Sequence, residues 1–200
     1  MPRKAPPSPP GAEDRRDQVA QATWRVIARD GLDRTSMRAI AQELGCTTGV
    51  LTHYFRDKDA LLDFALSSIV SQLRLATDGA DIKDLGVVRD LLDQILPTDA
   101  STKTWWKVWL SFTVAVMANP RQAANHAKLY SDLRAFWTLV FARLRERGRL
   151  PASVDPALEA EMLLCLVDGI GVHALISPRT LTAKRQLEIV DAYLARLARG

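Results

Sequence analysis

Cysteine is scarce in this chain, with two in 200 residues, Cys46 and Cys165. They are far apart, so neither a disulfide framework nor a cysteine-based metal spacing can be built from them. Both fall in apolar helical patterns and are expected to be buried, inert thiols. No apolar run approaches the roughly 18 residues that span a bilayer. The N-terminal MPRKAPPSPPGAEDRRD has charge and proline but no apolar core, so it is not expected to act as a secretory signal. Strand signals are missing too. There is no sustained alternation of apolar and polar residues, and Asp30-Gly31 reads as a helix end rather than a hairpin. Nor is there a glycine-rich phosphate loop, a nucleophile–base arrangement or a metal-ligand spacing, which argues against an enzyme and against any cofactor.

What the chain does have is helix. With 48% hydrophobic and 25% charged residues, it can bury a sizeable core. Five of its ten prolines lie in the first ten residues, so residues 1–12 are expected to be a disordered tail. Beyond them the hydrophobic period is helical nearly throughout. Helices are predicted near 13–30, 36–44, 47–56, 58–78, 82–96, 101–118, 120–148, 156–176 and 182–199. Pro97, Pro120 and Pro156 stand at boundaries, where proline is tolerated. The fold class is therefore all-α. A small module at 13–57 is expected to precede a larger helical domain at 58–200, joined along the fourth helix.

Charge is unevenly placed. Residues 1–58 hold 10 Lys+Arg against 7 Asp+Glu, and the remainder hold 17 against 16. A basic module on a near-neutral body suits contact with phosphate. The expected compartment is the cytoplasm.

The most informative segment is Thr35 to Leu61, TSMRAIAQELGCTTGVLTHYFRDKDAL. Thr35-Ser36 supply N-cap oxygens. Met37, Ile40, Ala41 and Leu44 form an apolar stripe. Gly45 permits the positive φ of a sharp turn between helices, and Cys46 plugs the core there. Leu51 and Phe55 bury the next helix. The outward face is then small and polar: Thr48 and Thr52 four apart, and Gly49 and His53 four apart. Such a face can enter a major groove. Thr48, Gly49 and Thr52 are assigned to base edges. Ser36, Arg38, Thr47, His53, Tyr54 and Lys58 are assigned mainly to phosphate. The same pattern also fits a structural helix pair with a polar surface.

These residues carry a resemblance. Ala22 through Gly31, Thr35-Ser36-Met37 with Ile40-Ala41, Gly45 through Gly49, and Thr52-His53-Tyr54-Phe55 with Lys58 and Leu61 resemble the N-terminal domain of TetR-family regulators. His-Tyr-Phe at 53–55 is similar to the choline-responsive BetI branch. The resemblance implies an all-α homodimer that binds double-stranded DNA, with a variable C-terminal ligand domain.

In the C-terminal part, Trp105, Trp109 and Phe112 share a helix face, and Tyr130, Trp137 and Phe141 share one on the next helix. Facing aromatic stripes attract a quaternary ammonium through the ring quadrupole. Asp132 and Asp168 are the candidate counter-charges. Asp168 interrupts the apolar stretch MLLCLVDGIGVHAL, where a bare carboxylate is costly. Aromatics at this spacing equally fit a plain core. His126 is expected to be exposed.

Val108 through Phe112 followed by Pro120, and Leu166 through Gly169, also resemble the BetI-type ligand domain, which implies a choline-like or betaine-aldehyde-like effector. The dimer seam is placed on the last two helices, with Gly169, His173, Leu187, Val190 and Leu194. The alternative is that the Leu187–Leu197 stripe closes the monomer's own core.

The chain thus reads as a ligand-responsive repressor of a palindromic operator. Effector binding between the middle helices would shift the fourth helix and separate the two reading heads. A transcriptional activator or ligand-independent regulator fits the same residues.

Overall fold

A computed structural model describes residues 12–65, Ser67, 82–118 and 120–199. The described residues are helical with no strand, as the period predicts. The chain divides into two compact units, one ending at Ser68 and one beginning at Ile69. Residues 1–11 of the expected 1–12 tail and, Ser67 apart, the continuation of the fourth helix to Asp78 lie outside the described residues, and Ala12 opens the first helix.

The first unit holds α1 (Ala12–Asp30), α2 (Met37–Glu43), α3 (Thr48–Tyr54) and α4, described over 58–65. Each break has a local cause. Gly31 takes φ +84° and its N–H bonds to the carbonyl of Ile27, a left-handed helix end that glycine adopts without a Cβ penalty. Ser36 caps α2 by accepting from the Ala39 N–H. Gly45, at φ +65°, turns the chain into α3, and the Cys46 N–H closes back on Ala41. Asp57 accepts from the Ala60 N–H and so starts α4.

One core fills the unit. Val19, Ala22 and Val26 from α1 meet Ile40 and Ala41 from α2, Leu51 from α3, and Phe55 and Leu61. Met37, Leu44 and Cys46 are only half-buried at its edge. Glu43 receives Arg25 and Arg29, each at 2.8 Å, which fastens α2 to α1. Arg16 lies over the rings of Phe55 and Phe64.

The second unit holds α5 (Leu85–Ile95), α6 (Ala100–Ala118), α7 (Pro120–Glu146), α8 (Pro156–Ile176) and α9 (Ala183–Leu197). α8 packs along α7, α6 touches both, and α9 lies on α5. Asp155 caps α8 ahead of Pro156, and Thr182 caps α9. α6 and α8 approach closely at Gly171. A Cβ built on Gly171 would come within 2.0 Å of the Trp106 ring. The Trp106 indole N–H in turn donates to the Ile95 carbonyl at 2.7 Å. Glycine is therefore required at 171 by packing, because its backbone lies directly against an indole.

Two expectations are corrected here. Val190 and Leu194 are buried within the chain, and Leu187 is half-buried. The α9 stripe therefore closes the monomer's core, with α9 packed on α5. Cys165 is exposed rather than buried. α8 is apolar almost all round, so its sequence does not reveal which side faces inward.

Candidate nucleic-acid interface and effector site

In the first unit, α3 buries Leu51 and presents its other side to solvent. Thr47, Thr48, Gly49, Thr52 and His53 are all exposed, as are Ser36 and Arg38 on the α2 side. A Cβ at Gly49 would meet nothing closer than the Thr47 hydroxyl at 3.7 Å. The chain's own packing does not require glycine there. Thr52 donates to the Gly49 carbonyl at 3.1 Å, which leaves its hydroxyl lone pairs outward.

Two assigned phosphate contacts have structural duties as well. Tyr54 is half-buried, packs on the core and meets the His53 ring edge-on at 5.2 Å. The Lys58 ammonium donates to the Leu32 carbonyl at 3.0 Å, across 26 residues of chain. It ties the turn after α1 to the start of α4.

In the second unit, the predicted aromatic stripes separate into two clusters. Trp105 and Trp109 stack at 5.7 Å with planes 6° apart. Trp109 then meets Tyr130 at 5.7 Å. The Tyr130 hydroxyl donates to the Asp168 carboxylate at 2.6 Å, and the Arg134 guanidinium lies over the Tyr130 ring, 5.9 Å from its centroid. Trp137 lies elsewhere, packed with Phe136 and Phe141 in the core. Phe112 is buried on α6. Asp132 is paired on the surface with Lys128.

His126 corrects the sequence reading. It is 6% exposed, not surface-lying, and joins the first cluster at 5.3 Å from Trp109 and 5.2 Å from Tyr130. Its signal was available: it stands four residues before Tyr130, on the same helix face.

The electrostatics follow from burial. Burial pushes the Asp168 carboxyl above the ordinary carboxylate range, while hydrogen bonds from Tyr130 and Trp109 pull it back. Burial and the bond to Asp168 raise Tyr130. Burial lowers His126, which favours neutral imidazole. The cluster thus sets a carboxyl in partly dry, aromatic surroundings, an arrangement whose ionised form is complementary to an organic cation.

Known proteins resolve the identity. Residues 20–64 match the model of bacterial regulatory proteins of the tetR family. Residues 86–199 match that of the BetI-type transcriptional repressor C-terminal domain. The chain belongs to the TetR family, with a BetI-type C-terminal domain. The HTH-type transcriptional regulator PksA of Bacillus subtilis is 38% identical, over 83% of this chain and 81% of its own. BetI of Proteus mirabilis is 29% identical, over 90% of each chain. A regulator from Saccharomonospora viridis, solved in complex with choline, shares the fold at TM-score 0.72 and 22% identity, covering 92% of this chain and 96% of its own. The TetR-family chain described here is a transcriptional regulator and not an enzyme. No described helix is long and apolar enough to cross a membrane.

Proposed function

We propose that this TetR-family regulator is a homodimeric repressor that leaves a palindromic operator when a small quaternary ammonium, of the choline class, binds its second unit. The observation that carries the reading is the Asp168 carboxylate held by Tyr130 beside stacked Trp105 and Trp109. A buried carboxylate is costly alone, and a cation without hydrogen-bond donors is a natural partner for it among ring faces. The choline in the Saccharomonospora structure belongs to a protein of the same fold.

The DNA-reading part is residues 13–57, with Thr48, Gly49 and Thr52 on base edges and Ser36, Arg38, Thr47, His53, Tyr54 and Lys58 toward the backbone. Residues 58–200 bind effector and form the dimer. Dimerisation is assigned to the open side of α8. Leu158, Met162, Cys165, Gly169, His173 and Ile176 are all exposed and recur every three to four residues, a continuous mostly apolar stripe of the kind that marks an interface. This face includes Gly169 and His173 of the expected seam and leaves out Leu187, Val190 and Leu194.

An effector lowers operator affinity only by as much as it prefers the non-binding state. Calorimetry with choline, followed by operator binding with and without it, tests the reading. Micromolar to millimolar binding that weakens the operator complex is the expected result. No binding of any ammonium at millimolar concentration sinks it.

A further inference from the structure

His126 is buried in the aromatic cluster, and among the described residues neither of its ring nitrogens has a hydrogen-bond partner. Buried polar atoms in native structures are nearly always satisfied, so two on one ring need an explanation. The surroundings sharpen the question. Trp109 and Tyr130 both lie against this ring, and the Tyr130 hydroxyl is already committed to Asp168. The ring therefore borders the cation site without being used by it.

A neutral imidazole has one N–H donor and one acceptor nitrogen. It is a poor partner for an ammonium lacking N–H groups. It suits an oxygen that can accept, or both accept and donate, such as a hydroxyl or a carbonyl. The separations of 5.2 and 5.3 Å to Tyr130 and Trp109 set the scale of the arm. A cation over those rings would need only a short chain to bring such an oxygen to His126.

We propose that His126 is a specificity-determining residue of the effector site: it hydrogen-bonds an oxygen on a short arm of the ammonium, so that the site selects hydroxyalkyl-ammonium effectors over plain alkyl-ammonium ones. The proposal rests on the cation reading above and adds the second recognition point. A site built to bond a polar group rejects the analogue lacking it, because its own polar atoms are then left unpaired.

The test is calorimetry on the full chain with choline and with propyltrimethylammonium, which has the same charge and nearly the same shape but no oxygen. Choline is expected to bind about tenfold more tightly, the scale of one hydrogen bond. His126→Phe keeps a ring in the cluster and should abolish that preference by weakening choline alone. Asp168→Asn should weaken both ligands. If His126→Phe does not fold, ¹⁵N-histidine spectra of the unmodified protein carry the test. Choline should move the His126 ring resonances and propyltrimethylammonium should leave them nearly in place. Equal affinities, equal spectral changes, or a preference surviving in His126→Phe overturn the role of His126 and leave the cation reading intact. Failure of both ammoniums to bind overturns the cation reading itself, and the role of His126 falls with it.

Discussion

The Tyr130 hydroxyl and the Asp168 carboxylate meet at 2.6 Å, joining α7 to α8 in the middle of the second unit. The bond orients the carboxylate, and the neighbouring rings keep water away from part of it. An ionised carboxyl so placed is poorly solvated, and a bound cation would repair that.

The pH dependence of effector binding follows. A quaternary ammonium has no proton to lose, so the titration belongs to the protein. Asp168 has its folded-state pKa raised, and a bound cation favours its ionised form. Affinity should rise with pH from the ordinary carboxylate range through the raised value, then level off. In the empty protein the same group works the other way. Its contribution to stability is greatest below the unfolded value and declines as pH rises through the folded one. Asp168→Asn should thus weaken the cation by about tenfold or more, flatten the pH profile, and raise the melting temperature of the empty protein at neutral pH. Calorimetry across pH with thermal melts checks all three. A pH-independent affinity in the unmodified protein would count against Asp168.

On α3, Thr48→Ala with Thr52→Ala should reduce specific operator affinity by about tenfold or more, the scale of base contacts worth roughly 1–3 kcal/mol. Non-specific binding should barely change. Arg38→Ala should weaken all sequences alike and reduce the slope of log K against log salt by about one. Fluorescence anisotropy over a salt series separates the two. Unchanged operator binding in the double threonine variant would remove α3 as the reading surface.

Gly171→Ala should be strongly destabilising. Its methyl would overlap the Trp106 ring, which is buried and held at its nitrogen. Overpacking typically costs about 1–3 kcal/mol. Adding Trp106→Leu should give back part of the loss introduced by the alanine, so the two changes should not be additive. Denaturant melts of the four proteins measure the coupling, and strict additivity would contradict the packing account.

The assigned dimer face makes a contrasting pair. Met162→Asp or Ile176→Asp should yield folded monomers by sedimentation, because both side chains are exposed in the single chain. Leu194→Ala should instead cost about 2–5 kcal/mol of stability through the core. Dimers that persist in both aspartate variants would move the interface away from this face of α8.

Much of the fold is legible in the sequence where signals are local. Gly31, Gly45, Ser36, Asp57 and Asp155 each mark a helix end with their own backbone or side-chain chemistry. The α3 face is legible for the same reason: Leu51 must go inward, so Thr48 and Thr52 go out. What is not legible depends on partners distant in sequence. α8 is apolar on nearly every side, so the exposure of Cys165 is set by where α6 and α7 lie. Lys58 reads as a free cation until Leu32, 26 residues away, takes its ammonium. His126 looks like a surface residue, beside Asn125 and two before Lys128, until Trp109 arrives from α6.

The missing side chain at Gly171 has a mechanical consequence. Trp106 packs against the α8 backbone at Gly171 and donates its indole N–H to the Ile95 carbonyl, so one ring joins α6 to two other parts of the unit. Trp105 and Trp109 ride on the same helix, one position before Trp106 and three after it. Rolling α6 against α8 at that point would have to break this packing. A hydrogen atom in place of a methyl at Gly171 is what lets the two helices meet at this ring.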